Sequence, residues 1–200
     1  YKEIMADFNQ IVDKTFSFEG GFQAFPNDSA NWYPNPQTGE LIGTNKGISA
    51  VAYGTYLGRK PSVAEMKAIT TDTAKKVYKK LFWDSPVKGD SIKNQSVAHM
   101  IFDFIIASGQ SKMSDIKSII NATKGSKVVV EDDSKFDDNE IAIINSLDQA
   151  KFHANLKAYR LAYIDRIIKA DPRDEKFRKG WTNRLNALVY VSDSTAEKKS

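Results

Sequence analysis

A carboxylate followed by two glycines, Glu19-Gly20-Gly21, stands among four phenylalanines, Phe16, Phe18, Phe22 and Phe25. That setting suits a general acid, because apolar neighbours strip water from the charged form and raise a carboxyl pKa toward a range where it can donate a proton. A second carboxylate, Asp28, follows, and a hydroxyl, Thr44, opens the run Thr44-Asn45-Lys46-Gly47-Ile48-Ser49. One acid, one further carboxylate and one hydroxyl able to hold a water are the minimal equipment of an inverting glycosidase. In such an enzyme the leaving oxygen is protonated on one side of the sugar while water attacks from the other. A solvated Glu beside an ordinary helix stop is the plainer alternative, since Glu before a glycine cap is common.

The elements that must hold these groups are legible in the apolar spacing. Ile4, Phe8, Ile11, Val12 and Phe16 recur at three- and four-residue steps and predict an amphipathic helix from Ile4 to Phe18. The paired glycines supply the positive φ of a C-cap, so the helix is expected to stop at Glu19, where the negative end of its dipole also disfavours the ionised acid. From Gln23 to Lys46 the helical period vanishes, and Pro, Asn, Gly and aromatic residues mark a long loop with a short hairpin around Pro36-Gln37-Thr38-Gly39-Glu40. Beyond Gly47 the pattern predicts helices near 49–57, 62–83, 91–108, 113–123, 137–169 and 174–190, with Ser62 and Glu65 spaced as a capping box. Residues 124–138, with Gly125, Val128-Val129-Val130 and an acidic cluster, read as a surface hairpin or a connector, and 196–200 as a solvated tail. The fold class is mainly α.

Composition excludes several chemistries. With no cysteine and two histidines, His99 and His153, disulfides and thiolate metal sites are ruled out and a zinc enzyme is not expected. No apolar run has the length of a membrane span, so no integral membrane segment is expected. The chain opens at Tyr1 rather than Met, which leaves room for a processed leader. A net charge of +4 would favour polyanions, yet solubility explains so small an excess equally well. Lys75, Lys76, Lys79 and Lys80 read as a solvated helix face.

The aromatics divide by context. Trp32, in a polar Pro- and Asn-rich loop, reads as a sugar-stacking platform together with Tyr33. Tyr53 and Tyr56 fall at helical spacing and favour a place in the core, although Tyr53 also joins Asn45 and Ser49 as a candidate substrate contact. Trp83 and Trp181 read as packing anchors, and His99 as a core or boundary residue. Asp103, flanked by Phe102 and Phe104, needs a buried partner if it faces inward, and Arg184 is a residue able to pair with a carboxylate.

Three blocks, Glu19-Gly20-Gly21-Phe22, Pro26-Asn27-Asp28 and Gly43-Thr44-Asn45-Lys46-Gly47-Ile48-Ser49, together resemble the N-terminal signature of the N-acetylmuramidases of glycoside hydrolase family 108, relatives of phage and goose-type lysozymes. Leu81-Phe82-Trp83, the segment Ser96 to Gly109, Arg160-Leu161-Ala162-Tyr163 and Gly180-Trp181-Thr182-Asn183-Arg184 are similar to later blocks of that family, in the same order. The chain departs from the pattern in the longer aromatic stretch Ser29 to Gly43 and in Ala107, where the family carries Asn.

The resemblance implies a lysozyme-like helical fold with a catalytic half, 1–93, and a peptidoglycan-binding half, 94–200, packed as one unit. It implies Glu19 as general acid, with Thr44 and Asp28 near the attacking water, and hydrolysis of the β-1,4 bond between N-acetylmuramic acid and N-acetylglucosamine in bacterial walls. The expected partner is a peptidoglycan glycan strand, the expected state a monomer, and no metal or organic cofactor is implied. The competing reading is a noncatalytic wall-binding or phage structural module on the same fold. A nucleic-acid binder ranks last for want of a reading motif.

Overall fold

The computed structural model describes residues 3–15, 21–130 and 134–192. These fall into two units, one formed by Phe8–Asp84 and the other by residues 3–7 together with the chain from Ser85 onward. The fold is mainly α, as the sequence led us to expect, with two small two-stranded sheets where one short hairpin was expected.

The first unit begins with α1, Phe8–Thr15, which buries Phe8, Ile11, Val12 and Thr15. The helix is shorter than the apolar spacing suggested. Ile4 is exposed, and the strand of chain before Phe8 belongs to the other unit, where the Ala6 amide donates to the Ile92 carbonyl (2.8 Å) and the Asp7 amide to Gln95 Oε1 (2.7 Å). Residues 16–20, and with them Phe16, Phe18 and Glu19, lie outside the described residues.

The long loop resolves into two hairpins. Strands β1 (Trp32–Tyr33) and β2 (Glu40–Leu41) pair antiparallel with Trp32 opposite Leu41 and Tyr33 opposite Glu40, around the turn read from Pro36 to Glu40. Strands β3 (Thr44–Asn45) and β4 (Ile48–Ser49) form the second, with Thr44 opposite Ser49 and Asn45 opposite Ile48. Its two turn residues, Lys46 and Gly47, both have positive φ, 51° and 75°, the twist that suits a two-residue hairpin. The Tyr78 hydroxyl donates to the Lys46 carbonyl (2.9 Å) and would lie 2.6 Å from a Cβ at position 47, so only glycine fits there.

Helix α2 (Ala50–Leu57) starts at Ser49, whose hydroxyl accepts from the Ala52 amide, and α3 (Val63–Lys67) starts at the Ser62–Glu65 capping box. The single helix expected over 62–83 is broken, because Thr70 caps a new one, α4 (Thr71–Tyr78), through its hydroxyl and the Thr73 amide. A π-helical segment, Lys79–Val87, follows. It carries Trp83, fully buried as anticipated, with its ring centroid 5.5 Å from that of Phe8. Each such buried ring or aliphatic side chain contributes about 1.5–3 kcal/mol.

In the second unit α5 (Gln95–Ser108) is apolar on nearly every face and buried accordingly. Helix α8 (Gln149–Ala170) packs against it, against α6 (Met113–Lys124) and against α9 (Arg178–Asn186). The helix expected over 137–169 is two, α7 (Asp138–Ser146) and α8, since Leu147 turns extended and Asp148 caps the restart by accepting from the Lys151 amide. The last expected helix, 174–190, becomes a 3-10 stretch, Pro172–Phe177, followed by α9. No strand forms among the described residues of 124–138. There Asn121 pins the chain, accepting from the Val128 and Val129 amides and donating to the Val129 carbonyl. His153 is buried, and that burial pushes its imidazole down to about 4, so it packs in the neutral form. No helix among the described residues is long and apolar enough to cross a membrane.

One contact in the first unit ties the fold to the candidate site. A Cβ at Gly54 on α2 would meet Tyr33 Cε2 at 2.6 Å and the Arg59 carbonyl at 3.2 Å. Gly54→Ala must therefore displace the Tyr33 ring and is expected to lower stability by about 1–3 kcal/mol. Gly180→Ala, with nothing within 4 Å of the new atom, should be neutral or mildly stabilising. Thermal unfolding of both variants checks the contrast, and an unchanged midpoint for Gly54→Ala would contradict it.

Candidate active site

The expected site residues of the loop meet through one buried side chain that spacing gave no reason to single out. Asn31 is completely buried and uses its whole amide. Its Nδ2 donates to Gln23 Oε1 (2.6 Å) and to the Phe25 carbonyl (3.1 Å), while its Oδ1 accepts from the Thr44 hydroxyl (2.7 Å). Its backbone carbonyl accepts from the amides of Ile42 and Gly43, at 2.8 and 2.9 Å, which carries the chain from the first hairpin into the second. Gln23 in turn pairs backbone to backbone with Thr44 in both directions at 2.9 Å, and its Nε2 donates to Asp28 Oδ2 (3.1 Å). Asp28 caps the 3-10 turn Ser29–Asn31, accepting from the Ala30 amide at Oδ1 (3.0 Å). A continuous path thus runs from Asp28 through Gln23 and Asn31 to Thr44.

The polarity of that path is fixed by the backbone of Phe25. Its carbonyl can only accept, so the Asn31 amide must present Nδ2 there and Oδ1 to Thr44. Its N–H can only donate, and it donates to Gln23 Oε1 (3.1 Å), which forces Gln23 Nε2 toward the Asp28 carboxylate. The Thr44 hydroxyl is left as the donor to Asn31. Its proton is committed, which leaves the two lone pairs of Oγ1 as acceptors for a water hydrogen. Thr44 itself is half-buried, so water can reach it.

The other candidates fall into two groups. Trp32 is half-buried and donates from Nε1 to the Pro26 carbonyl (3.0 Å), which fixes its ring, and Phe25 is 64% exposed. Tyr33 is half-buried and lies over Gly54. Helical spacing favours half-buried core places for Tyr53 and Tyr56. They are half-buried and stack with ring centroids 6.0 Å apart and planes within 9°. Burial first, and then the Glu65 carboxylate, push the Tyr53 phenol above its ordinary range, so it stays protonated and can donate. Hydrogen bonds from Arg59, and then from the Ser62 backbone, hold Glu65 at about 2. Asn45 and Ser49 are engaged elsewhere. Asn45 is buried and donates to the Met66 carbonyl (2.8 Å), fastening the second hairpin to α3, and Ser49 caps α2.

Glu19, the expected acid, lies outside the described residues. The structure therefore brings together Asp28 and Thr44, and adds Gln23 and Asn31. Neither amide was visible in the sequence, because a polar loop rich in Asn, Asp and Ser does not reveal which of its amides the fold will bury. Replacing Asn31 by Ala leaves the Phe25 carbonyl and the Thr44 hydroxyl without this partner. It is expected to lower the unfolding free energy by about 1–3 kcal/mol in urea titrations, whereas an unchanged transition would contradict the hub role.

The family model described as Glycosyl hydrolase 108 matches residues 12–109, which contain the whole network. A solved structure of Brucella abortus SagA is similar to this chain at 27% identity and a TM-score of 0.62, covering 90% of this chain and 90% of that one. No curated protein sequence matches the chain. By this match, and in keeping with the motifs read from the sequence, the chain carries the Glycosyl hydrolase 108 family sequence over residues 12–109.

Proposed function

We propose that this protein is a peptidoglycan hydrolase that cleaves the β-1,4 bond between N-acetylmuramic acid and N-acetylglucosamine. The observation that carries the reading is the preset Thr44 hydroxyl, held by a buried amide inside the segment that matches a glycosyl hydrolase family. Glu19 is the general acid in this proposal. It precedes Gln23, which pairs with Thr44, by four residues in the sequence.

The roles follow from proton accounting. Glu19 gives its proton to the leaving oxygen, and a water donates one hydrogen to Thr44 Oγ1 while its oxygen faces the anomeric carbon. The Thr44 proton is spent on Asn31, and the amides of Asn31 and Gln23 do not relay protons at neutral pH. Thr44 therefore orients the water and does not act as the base; as the water oxygen bonds to the anomeric carbon and the glycosidic C–O bond breaks, the water's other proton passes to bulk solvent, which returns one to Glu19. Asp28, kept in place by Gln23 and the Ala30 amide, is the carboxylate that steadies the oxocarbenium-like transition state. Phe25, Trp32 and Tyr33 offer ring faces to sugar, and the protonated Tyr53 phenol offers a donor. Asn45 and Ser49 support these groups from behind.

The test is mass spectrometry of soluble products from purified peptidoglycan after borohydride reduction of new ends. Wild-type protein is expected to release muramitol-ended fragments. Glu19→Gln should fold and release almost none, and Thr44→Val should slow release by about 10–100-fold, the worth of one oriented water contact. Glucosaminitol ends would change the bond assignment, retained release by Glu19→Gln would remove that residue from the acid role, and no fragments from wild type would contradict hydrolysis altogether.

A further inference from the structure

The second unit contains a cavity of about 340 Å³ that the proposed hydrolysis does not use. It is walled by the end of α5 at Ala107 and Ser108, by Arg160, Tyr163, Ile164 and Ile167 of α8, and by Trp181, Arg184 and Leu185 of α9. Beneath it lies Asp103, 1% exposed, whose two oxygens are shared between two arginines. Arg160 Nη2 donates to Oδ2 (2.7 Å), and Arg184 donates to Oδ1 from Nε (3.1 Å) and Nη2 (2.9 Å). The sequence pointed to a buried partner for Asp103, and the structure supplies two.

Two guanidiniums on one carboxylate leave a net positive charge at the cavity. Arg160 is buried and its second amino group meets only the Met100 sulfur at 3.5 Å, while the Arg184 side chain is 42% exposed and its Nη1 takes no part in the Asp103 bonds. The charge that Asp103 leaves over sits on the exposed Arg184, whose Nη1 can make a charge-assisted hydrogen bond to an anion in the cavity. The rest of the lining limits what carries the anion. Ile164, Ile167, Leu185 and the half-buried Trp181 demand an apolar body. The last turn of α5 presents carbonyls that have no intrahelical donor, and these accept N–H groups and repel a second negative charge.

We propose that this cavity is a binding site for the C-terminal carboxylate of a short peptide with small apolar side chains. The carboxylate sits on Arg184 and Arg160, the side chains lie against Trp181 and the isoleucines, and the peptide N–H groups face the end of α5. This site is separate from the glycosidase reading and stands or falls without it, because its ligand is not a sugar.

The experiment titrates the full chain with N-acetyl-Ala-Ala bearing a free carboxylate, and separately with its C-terminal amide, and follows the indole N–H resonance of Trp181. The resonance is assigned by its loss in Trp181→Phe. The free acid is expected to shift it saturably, and the amide to bind at least about tenfold more weakly, as loss of a charged hydrogen bond dictates. Arg184→Gln should bring the acid down to the level of the amide. Equal binding of acid and amide, no saturable shift with either, or full affinity in a folded Arg184→Gln would overturn the proposal. Inorganic phosphate binding as tightly as the peptide would also overturn it, by showing an anion site without peptide recognition. The comparison of acid with amide uses unaltered protein, so it decides the matter even if the arginine variant fails to fold.

Discussion

The first unit is organised around one buried amide. Asn31 has no contact with water, so each of its polar atoms must find a partner in the chain, and the partners it finds are the parts of the loop that would do chemistry. Its backbone carbonyl carries the chain from one hairpin to the next, and its side chain joins Gln23, Phe25 and Thr44. A cheaper fold for this segment would expose the amide or bury a leucine. Neither would fix the direction of the Thr44 hydroxyl, so the cost of burying a polar group is repaid in orientation rather than in stability.

That constraint also explains why the loop carries so many aromatics without forming a core. Trp32 is held through its indole N–H by the Pro26 carbonyl, Tyr33 lies on Gly54, and Phe25 lends both of its backbone groups to the amides while its ring stays exposed. The polar network sets the backbone, and the rings are left at the surface as a consequence. The second unit solves a related problem in another way. There a buried carboxylate, Asp103, is met by charge rather than by amides, and the arginines overshoot it.

Much of this was readable in the residues, and the rest failed for identifiable reasons. The apolar period found α2 and α6 almost to the residue and α5 at its C-terminal end, and Pro36 to Glu40 announced the first hairpin. Thr70 and Asp148 broke helices that periodicity ran together, since a cap residue inside an apolar pattern is recognised only when the backbone actually turns there. Ile4 was assigned to α1 because its spacing fits, yet pairing of its neighbours with Ile92 and Gln95 draws that stretch to the other unit, a long-range choice no local pattern encodes. Trp181, read as a packing anchor, stacks on Phe177 and also lines a cavity. Asp28 and Thr44 were named from motif and chemistry, whereas Asn31 and Gln23 became visible only through burial and bonding. Asn45, next to Thr44 in sequence, and Ser49, opposite it across the hairpin, differ from it in role because one turns inward and the other caps a helix.

The central claim is that the hydroxyl of Thr44 has its proton preset on Asn31, leaving its lone pairs for a water. Neutron diffraction from deuterium-exchanged crystals reads this directly. The expected result is deuterium on Thr44 Oγ1 along the line to Asn31 Oδ1, with the two deuterons on Asn31 Nδ2 directed at Gln23 Oε1 and the Phe25 carbonyl oxygen. A Thr44 deuteron pointing to solvent, with the Asn31 amide turned over, would contradict it.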